Sequence, residues 1–153
     1  MRFSTSLGVV CLAALAASSA EALPVKPDPA HIMATLAKDI KWEIDANFGE
    51  QVAYIMGDPA KPGPYIMLIK WEPHHMSTPH THNTDRFVYV ASGTWWVSDS
   101  PHYDPSKTYP VPAGSTGIDK AGQVHWDGAK NEPVLLVLYG QGPANTVKVP
   151  EKK

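Results

Sequence analysis

The sequence predicts an all-β domain, either a sandwich or a closed antiparallel barrel, and three observations support this fold class. Short apolar runs alternate with stretches rich in Gly, Pro, Asn and Asp, which is the pattern of short strands joined by turns. Fifteen prolines and eleven glycines in 153 residues disfavour a helical bundle. Side chains alternate in Phe87–Val90 and Thr94–Val97, so that one parity can face a core.

Five segments are predicted as strands because each is short, apolar and bounded by turn residues. They are Gln51–Met56, Tyr65–Trp71, Phe87–Val90, Thr94–Val97 and Val134–Tyr139. Ser92-Gly93 fits a tight turn between the third and the fourth of these strands. Many short strands of this kind form sandwiches or barrels.

One segment before the strands has helical spacing. Ala30 to Lys38 carries apolar residues at helical intervals, and Pro29 suits the first helical position, so a short helix is predicted there. Lys41–Ile44 is compatible with an opening strand. Residues 23–50 are therefore expected to form an N-terminal helix and leading segment, and residues 51–150 to form the β domain.

The first 22 residues have the organisation of a secretory signal peptide. Arg2 supplies a positive charge, Leu7 to Ala17 is apolar and uncharged, and Ala20-Glu21-Ala22 matches an A-x-A cleavage site. The apolar run is shorter than the roughly 20 residues needed to cross a bilayer. We expect an exported protein, periplasmic or secreted, with no membrane contact after cleavage; the alternative is an N-terminal core helix.

Composition excludes several functional classes. Cleavage after Ala22 would remove Cys11, the only cysteine, which excludes disulfides and thiol catalysis in the mature chain. The formal net charge of −2 without a strongly basic stretch argues against a nucleic-acid partner. Ser92 and Ser115 have no base in a triad arrangement, which argues against a serine hydrolase.

The histidines are unevenly distributed, since four of the seven lie in residues 74–82. His80 and His82 are two residues apart, so in extended backbone their side chains point to the same face. Neutral imidazole is the commonest metal ligand among side chains. Two ligands do not make a tight site, and a third must come from a distant part of the chain.

The residues around this pair resemble two motifs of the cupin superfamily. In the first motif, G-x5-H-x-H-x(3,4)-E-x6-G, the matching residues are His80, His82 and Gly93. In the second motif, G-x5-P-x-G-x2-H-x3-N, they are Gly114, Gly122 and His125. The resemblance covers about His74 to Ala129, and the flanks are similar to those of small exported bacterial single-domain cupins.

The resemblance implies a fold, a cofactor and an assembly. The fold would be a conical antiparallel β-barrel, the jelly roll or double-stranded β-helix, spanning residues 51–150. One divalent transition metal, which is Fe, Mn, Ni, Cu or Zn, would bind to His80, His82 and His125. A homodimer would be the expected assembly.

Four positions depart from the motifs. His74 replaces the first glycine, Lys120 the proline and Ala129 the asparagine. Arg86 occupies the position of the glutamate ligand, and a guanidinium cannot donate a lone pair to a metal. Arg86 would hold an anionic substrate in a three-histidine site, or form a structural ion pair, or accompany a decayed site whose histidines only pack. The ion-pair partners would be Asp85, Asp119 or Asp127.

A metal on three neutral imidazoles keeps open positions and its full charge, which favours an anionic oxygen ligand. We therefore expect a small anionic substrate, with Arg86, Trp95 and Gln123 as candidate binding residues. With Fe the resemblance implies a dioxygenase-like enzyme, and with Zn, Ni or Mn a Lewis-acid lyase or isomerase. No catalytic base is identified, so the alternative is a non-catalytic cupin that binds a small molecule or a metal.

Overall fold

The structure is a computed structural model that describes residues 34–150. The predicted signal peptide, residues 1–22, lies outside the described residues. Eleven strands run through the described part of the chain: β1 (Glu43–Ile44), β2 (Gln51–Met56), β3 (Gly63–Trp71), β4 (His80–His82), β5 (Arg86–Ser92), β6 (Thr94–Ser98), β7 (Tyr109–Pro112), β8 (Thr116–Asp119), β9 (Trp126–Gly128), β10 (Val134–Gly142) and β11 (Thr146–Lys148). Between residues 34 and 150, no helix is long and apolar enough to cross a membrane.

The strands form two faces of an antiparallel barrel. One face is a six-stranded sheet in the order β1-β2-β3-β10-β5-β8. The other contains the three-stranded sheet β7-β6-β9 and the pair β11-β4. A backbone bridge between His80 and His125 connects the β11-β4 pair with the three-stranded sheet, with N–H···O distances of 2.9 and 3.0 Å. This architecture confirms the predicted all-β jelly roll.

The core lies on the inner face of the six-stranded sheet and against the opposing sheet. β3 and β10 alternate between buried and outward-facing side chains along most of their length, as the pleat of a half-buried strand requires. The buried hydrophobic cluster contains Val52, Tyr65, Met67, Ile69, Trp71, Val88, Val90, Trp95, Val97, Ala129, Val134, Leu136 and Leu138. Burial of their apolar surface is the main favourable contribution to folding, at about 25 cal/mol per Å².

The five predicted strands are all present, and Gln51–Met56 is β2 without change. The turn at Ser92-Gly93 joins β5 to β6 but does not make a hairpin, because β5 pairs with β10 and β8 while β6 pairs with β7 and β9. Gly93 has φ +74°, and a Cβ there would clash with the Pro133 carbonyl oxygen. The turn therefore carries the chain from one face of the barrel to the other.

The helix predicted over Ala30–Lys38 is corrected in its described part. Leu36 is extended, with φ −71° and ψ 151°, and only a single 3₁₀ turn follows at Ala37–Asp39. No side chain caps this turn, and Ile40 is extended again. Helical spacing over so few residues does not offset the cost of helix nucleation. Residues 30–33 lie outside the described range, and the opening strand foreseen at Lys41–Ile44 forms as β1.

Candidate metal centre

Strand β4 carries the first two histidines of the site. Along His80, Thr81 and His82 the burial pattern is buried, intermediate, buried, so both imidazoles face the interior. β4 is held by β11 on one side and by the backbone bridge from His80 to His125 on the other. This bridge brings the third imidazole, 43 residues downstream of His82 in the numbering, beside the other two.

The three imidazoles form a buried triad, which we call the His triad (His80, His82 and His125). Their exposed fractions are only 2, 4 and 7 %. One nitrogen from each ring lies within 4.8 Å of the other two, and the ring centroids are 4.4 to 5.1 Å apart. A group of this kind can hold a metal ion.

Hydrogen bonds fix which nitrogen of each ring is free. Each Nδ1 lies at hydrogen-bond distance from a backbone carbonyl oxygen: His80 from Thr78 (2.8 Å), His82 from Asn145 (3.2 Å) and His125 from Gln123 (3.2 Å). A carbonyl only accepts, so Nδ1 carries the proton and Nε2 keeps a lone pair. Nε2 of His82 and of His125 is buried without a hydrogen-bond partner among the described residues. The donor set therefore fits a divalent transition metal.

Burial keeps His80 and His82 neutral. The pKa of His80 is lowered from 6.5 to about 4, mainly by loss of hydration and secondly by the neighbouring His125. Burial also lowers the pKa of His82 to about 2, with the charge of Arg86 as the next cause. Neutral imidazoles at physiological pH are the form that binds a metal.

Arg86 forms an ion pair with Asp119, its partner across the β5–β8 ladder. Arg86 Nη2 lies 2.8 Å from Asp119 Oδ2, and both side chains are largely buried, with 14 and 7 % exposed. The same carboxylate oxygen is 3.8 Å from Nε2 of His125. A carboxylate thus lies beside the His triad, but it comes from β8 and not from the glutamate position on β5.

Two cavities adjoin the triad. The inner cavity, of about 230 Å³, is lined by His80, His82, Arg86 and Glu50, with apolar walls that include Tyr65, Met67, Ile69 and Trp71. The side groove, of about 720 Å³, is lined by His125, Asp119, Trp95 and Gln123 among others. The triad therefore lies between the two spaces.

The candidate substrate-binding residues do not share one cavity. Arg86 lines the inner cavity, whereas Trp95 and Gln123 line the side groove. Trp95 is 4 % exposed and its Nε1–H donates to Asp127 Oδ2 at 2.6 Å, so its polar atom already has a structural partner. A role of Trp95 and Gln123 in binding a substrate stays a prediction.

Sequence reasoning missed Glu50, a buried carboxyl in the inner cavity. It precedes β2, is 8 % exposed, and its Oε2 has no hydrogen-bond partner within residues 34–150. Its pKa is raised to about 7, mainly by burial and to a smaller extent by the carboxylates of Asp45 and Asp127. Nothing in the local sequence distinguishes Glu50 from an exposed strand-end glutamate. Glu72, which shares the parity of the histidine pair, is instead exposed and bonded to Lys70 at 2.8 Å.

Comparisons with known proteins find similarity in structure alone. No protein-family model matches the chain, and no curated protein matches its sequence. The polyketide cyclase RemF from Streptomyces resistomycificus is 16 % identical, with 80 % of this chain and 88 % of that chain covered and a TM-score of 0.66. A cupin-like protein from Thermotoga maritima is 15 % identical, with 71 and 85 % covered and a TM-score of 0.56.

A third similar structure is that of an uncharacterized conserved protein with a double-stranded β-helix domain from Klebsiella pneumoniae. It is 18 % identical, with 70 % of this chain and 90 % of that chain covered and a TM-score of 0.55. At such identities the likeness concerns the fold and not the activity. The chain therefore has the cupin fold, as the resemblance of its two histidine motifs predicts.

Proposed function

We propose that this protein binds one divalent transition metal on His80, His82 and His125 and acts on a small anionic substrate in the inner cavity. The observation that carries the proposal is the arrangement of the His triad. Three buried imidazoles each have Nδ1 engaged by a backbone carbonyl, and one nitrogen from each ring lies within 4.8 Å of the other two. Three protein ligands with further positions open are typical of catalytic centres, not of closed structural ones.

The metal, when bound, would act as a Lewis acid toward a substrate oxygen. The chain supplies the remaining functions. Arg86, which is paired with Asp119, lines the inner cavity together with apolar side chains. Glu50 offers a carboxyl whose pKa of about 7 suits proton transfer.

This carboxyl favours one of the two reactions considered for the centre. An elimination or isomerisation needs a group that moves a proton beside the Lewis acid, and Glu50 provides one. We therefore place a metal-dependent lyase or isomerase ahead of a dioxygenase-like reaction. Metal binding without turnover would instead indicate the non-catalytic binding cupin.

Export and dimerisation are part of the proposal. The signal-peptide pattern of residues 1–22 supports export. A homodimer is supported by an exposed apolar row on the outer face of the six-stranded sheet, where Phe87 pairs in register with Ile118 and Tyr139. Light scattering of the purified protein should give twice the chain mass, and a monomer at micromolar concentration would contradict this assembly.

Titration of metal-free protein with Zn²⁺ tests the metal centre. Calorimetry should give one site per chain for the wild type and none for His80→Ala or His125→Ala. His102→Ala, which alters an exposed histidine in a loop, is the matched control and should bind as the wild type does. Circular dichroism checks that each variant is folded. Full stoichiometric binding by both triad variants would refute the assignment.

A further inference from the structure

Three buried polar side-chain atoms outside the triad, each on a residue that lines the inner cavity, have no hydrogen-bond partner among the described residues. They are Oε2 of Glu50, Nε1 of Trp71 and Nε of Arg86, and all three are buried. An unsatisfied buried polar atom lowers the stability of the folded protein. Three such atoms around one cavity therefore require an explanation, and a ligand that satisfies them is a direct one.

The chemistry of these atoms defines the ligand. Trp71 Nε1–H and Arg86 Nε–H can only donate, so they require acceptor oxygens. Nη2 of Arg86 already pairs with Asp119, so the Nε–H is the group of Arg86 that remains for an acceptor oxygen. The cavity volume of about 230 Å³ and the apolar Met67 and Ile69 limit the ligand to a small molecule.

We propose that Glu50 is a catalytic acid–base residue acting on a small carboxylate that bears a carbonyl group, whose oxygens Arg86 and Trp71 hold. In the first step the C–H bond next to the carbonyl breaks and its proton moves to Oε2 of Glu50. The electron pair stays on the substrate as an enolate, whose oxygen accepts from the two donors. Return of the proton to another atom, or loss of a leaving group, completes an isomerisation or elimination without an oxidant. This inference rests on the proposed function, since it uses the same cavity.

The surroundings of Glu50 suit this role. Burial is the main cause of its raised pKa of about 7, with smaller contributions from Asp45 and Asp127, while a backbone hydrogen bond and Arg86 act in the opposite direction. The other titratable groups on the cavity wall are His80 and His82, which burial keeps neutral, and two tyrosines. A base whose pKa lies near the working pH transfers protons most effectively.

Oxalate, a planar dianion shaped like the enolate of a 2-oxo acid, is the binding probe. Calorimetry between pH 6 and 8 in buffers of different ionisation enthalpy measures proton uptake on binding, with Zn²⁺-loaded and with metal-free protein. An anion beside Glu50 favours its protonated form, so the wild type should take up about half a proton at pH 7. Its affinity should weaken by up to about tenfold per pH unit above 7.

Glu50→Gln should bind oxalate without proton uptake and without this pH dependence. Glu43→Gln, an exposed glutamate on β1, is the matched control and should behave as the wild type does. Equal proton uptake in the wild type and Glu50→Gln would overturn the assignment. Failure of a metal-loaded protein to bind oxalate would also overturn it while leaving the metal centre intact. A chain that takes up no metal contradicts the proposed function, and the metal-free titration still tests Glu50.

Deuterium exchange into the methyl group of pyruvate, followed by proton NMR, tests the proton transfer itself. The wild type should catalyse the exchange, and Glu50→Gln should slow it by about 10²–10⁴-fold. Glu43→Gln should exchange at the wild-type rate. An equal rate in the wild type and Glu50→Gln, or no catalysed exchange by a protein that binds oxalate, would contradict the assignment of Glu50 as the base.

Discussion

The inner cavity and the side groove lie against the same His triad, but their polar side chains differ in whether they have hydrogen-bond partners. Two residues of the side groove are paired with residues of the inner cavity: Trp95 donates to Asp127 at 2.6 Å, and Asp119 accepts from Arg86 at 2.8 Å. On the cavity side, Glu50, Trp71 and Arg86 each keep one buried atom without a partner in the described part of the chain. Paired groups stabilise the barrel, whereas unpaired ones reduce stability and are available to a ligand.

The contrast predicts its largest effect in metal binding. His82→Ala should abolish stoichiometric binding of Zn²⁺, because two imidazoles do not make a tight site. Trp95→Phe should bind the metal fully and instead lose about 1–3 kcal/mol of stability, since buried Asp127 loses a donor. Calorimetry and urea unfolding measure the two effects. Loss of metal from Trp95→Phe would mean that the hydrogen bond between Trp95 and Asp127 supports the metal site.

The largest loss of stability is expected from the paired carboxylate on the groove side. Asp119→Ala leaves the Arg86 guanidinium buried without its counter-charge, which should cost about 3–5 kcal/mol in urea unfolding of the metal-free protein. The double variant Arg86→Met/Asp119→Leu should recover much of this loss, because it buries no unpaired charge. If the double variant loses as much stability as Asp119→Ala or more, the ion pair is not coupled as its geometry indicates.

A smaller effect is expected in the pH dependence of the metal-free protein. The raised pKa of Glu50 means that the folded protein retains a proton that the unfolded chain releases above about 4.5. Its contribution is present below pH 4.5 and is lost as the pH rises through 7. Relative to the wild type, Glu50→Gln should therefore gain up to about 3 kcal/mol between pH 4.5 and 7. For Glu43→Gln, the difference in unfolding free energy from the wild type should not change with pH. The same result for Glu50→Gln would contradict the burial of this carboxyl.

His80 and His82 give the opposite slope. Their pKa values are lowered below the ordinary 6.5, so the stability from their neutral forms is present above pH 6.5. It is lost as the pH falls from 6.5 toward 4, where the unfolded chain binds the protons first. Thermal unfolding of metal-free Glu50→Gln, which lacks the opposing contribution, should show this loss on acidification most clearly. A melting temperature that does not fall between pH 6.5 and 5 would contradict it.

The smallest effect lies outside both cavities, at His74. This residue replaces the first glycine of the first motif and has φ +62°, a conformation that favours glycine. His74→Gly should stabilise the protein by about 0.5–1 kcal/mol through relief of that conformation, with metal binding unchanged. Destabilisation would show that the imidazole makes a contact that outweighs the strain.

Alternation and turn residues were sufficient to predict the five main strands, since a half-buried strand repeats every two residues. The spacing of His80, His82 and His125 predicted the triad because the motifs tie loop lengths to the barrel. The turn at Gly93 was predicted, but the pairing of the strands on either side of it was not. That pairing depends on which sheet each strand joins, and no local sequence pattern encodes it. Arg86 had three possible acidic partners, and only the β5–β8 register selects Asp119. The burial of Glu50 in the inner cavity could not be predicted, because it depends on which way the chain faces just before β2.

Metal content of protein purified without chelators or an affinity tag tests the central claim most directly. Elemental mass spectrometry should find about one Fe, Mn, Ni, Cu or Zn per chain, and the element would separate Lewis-acid from dioxygen chemistry. A folded protein that carries no metal and does not bind added metals would contradict the account. The His triad would then have only a packing role.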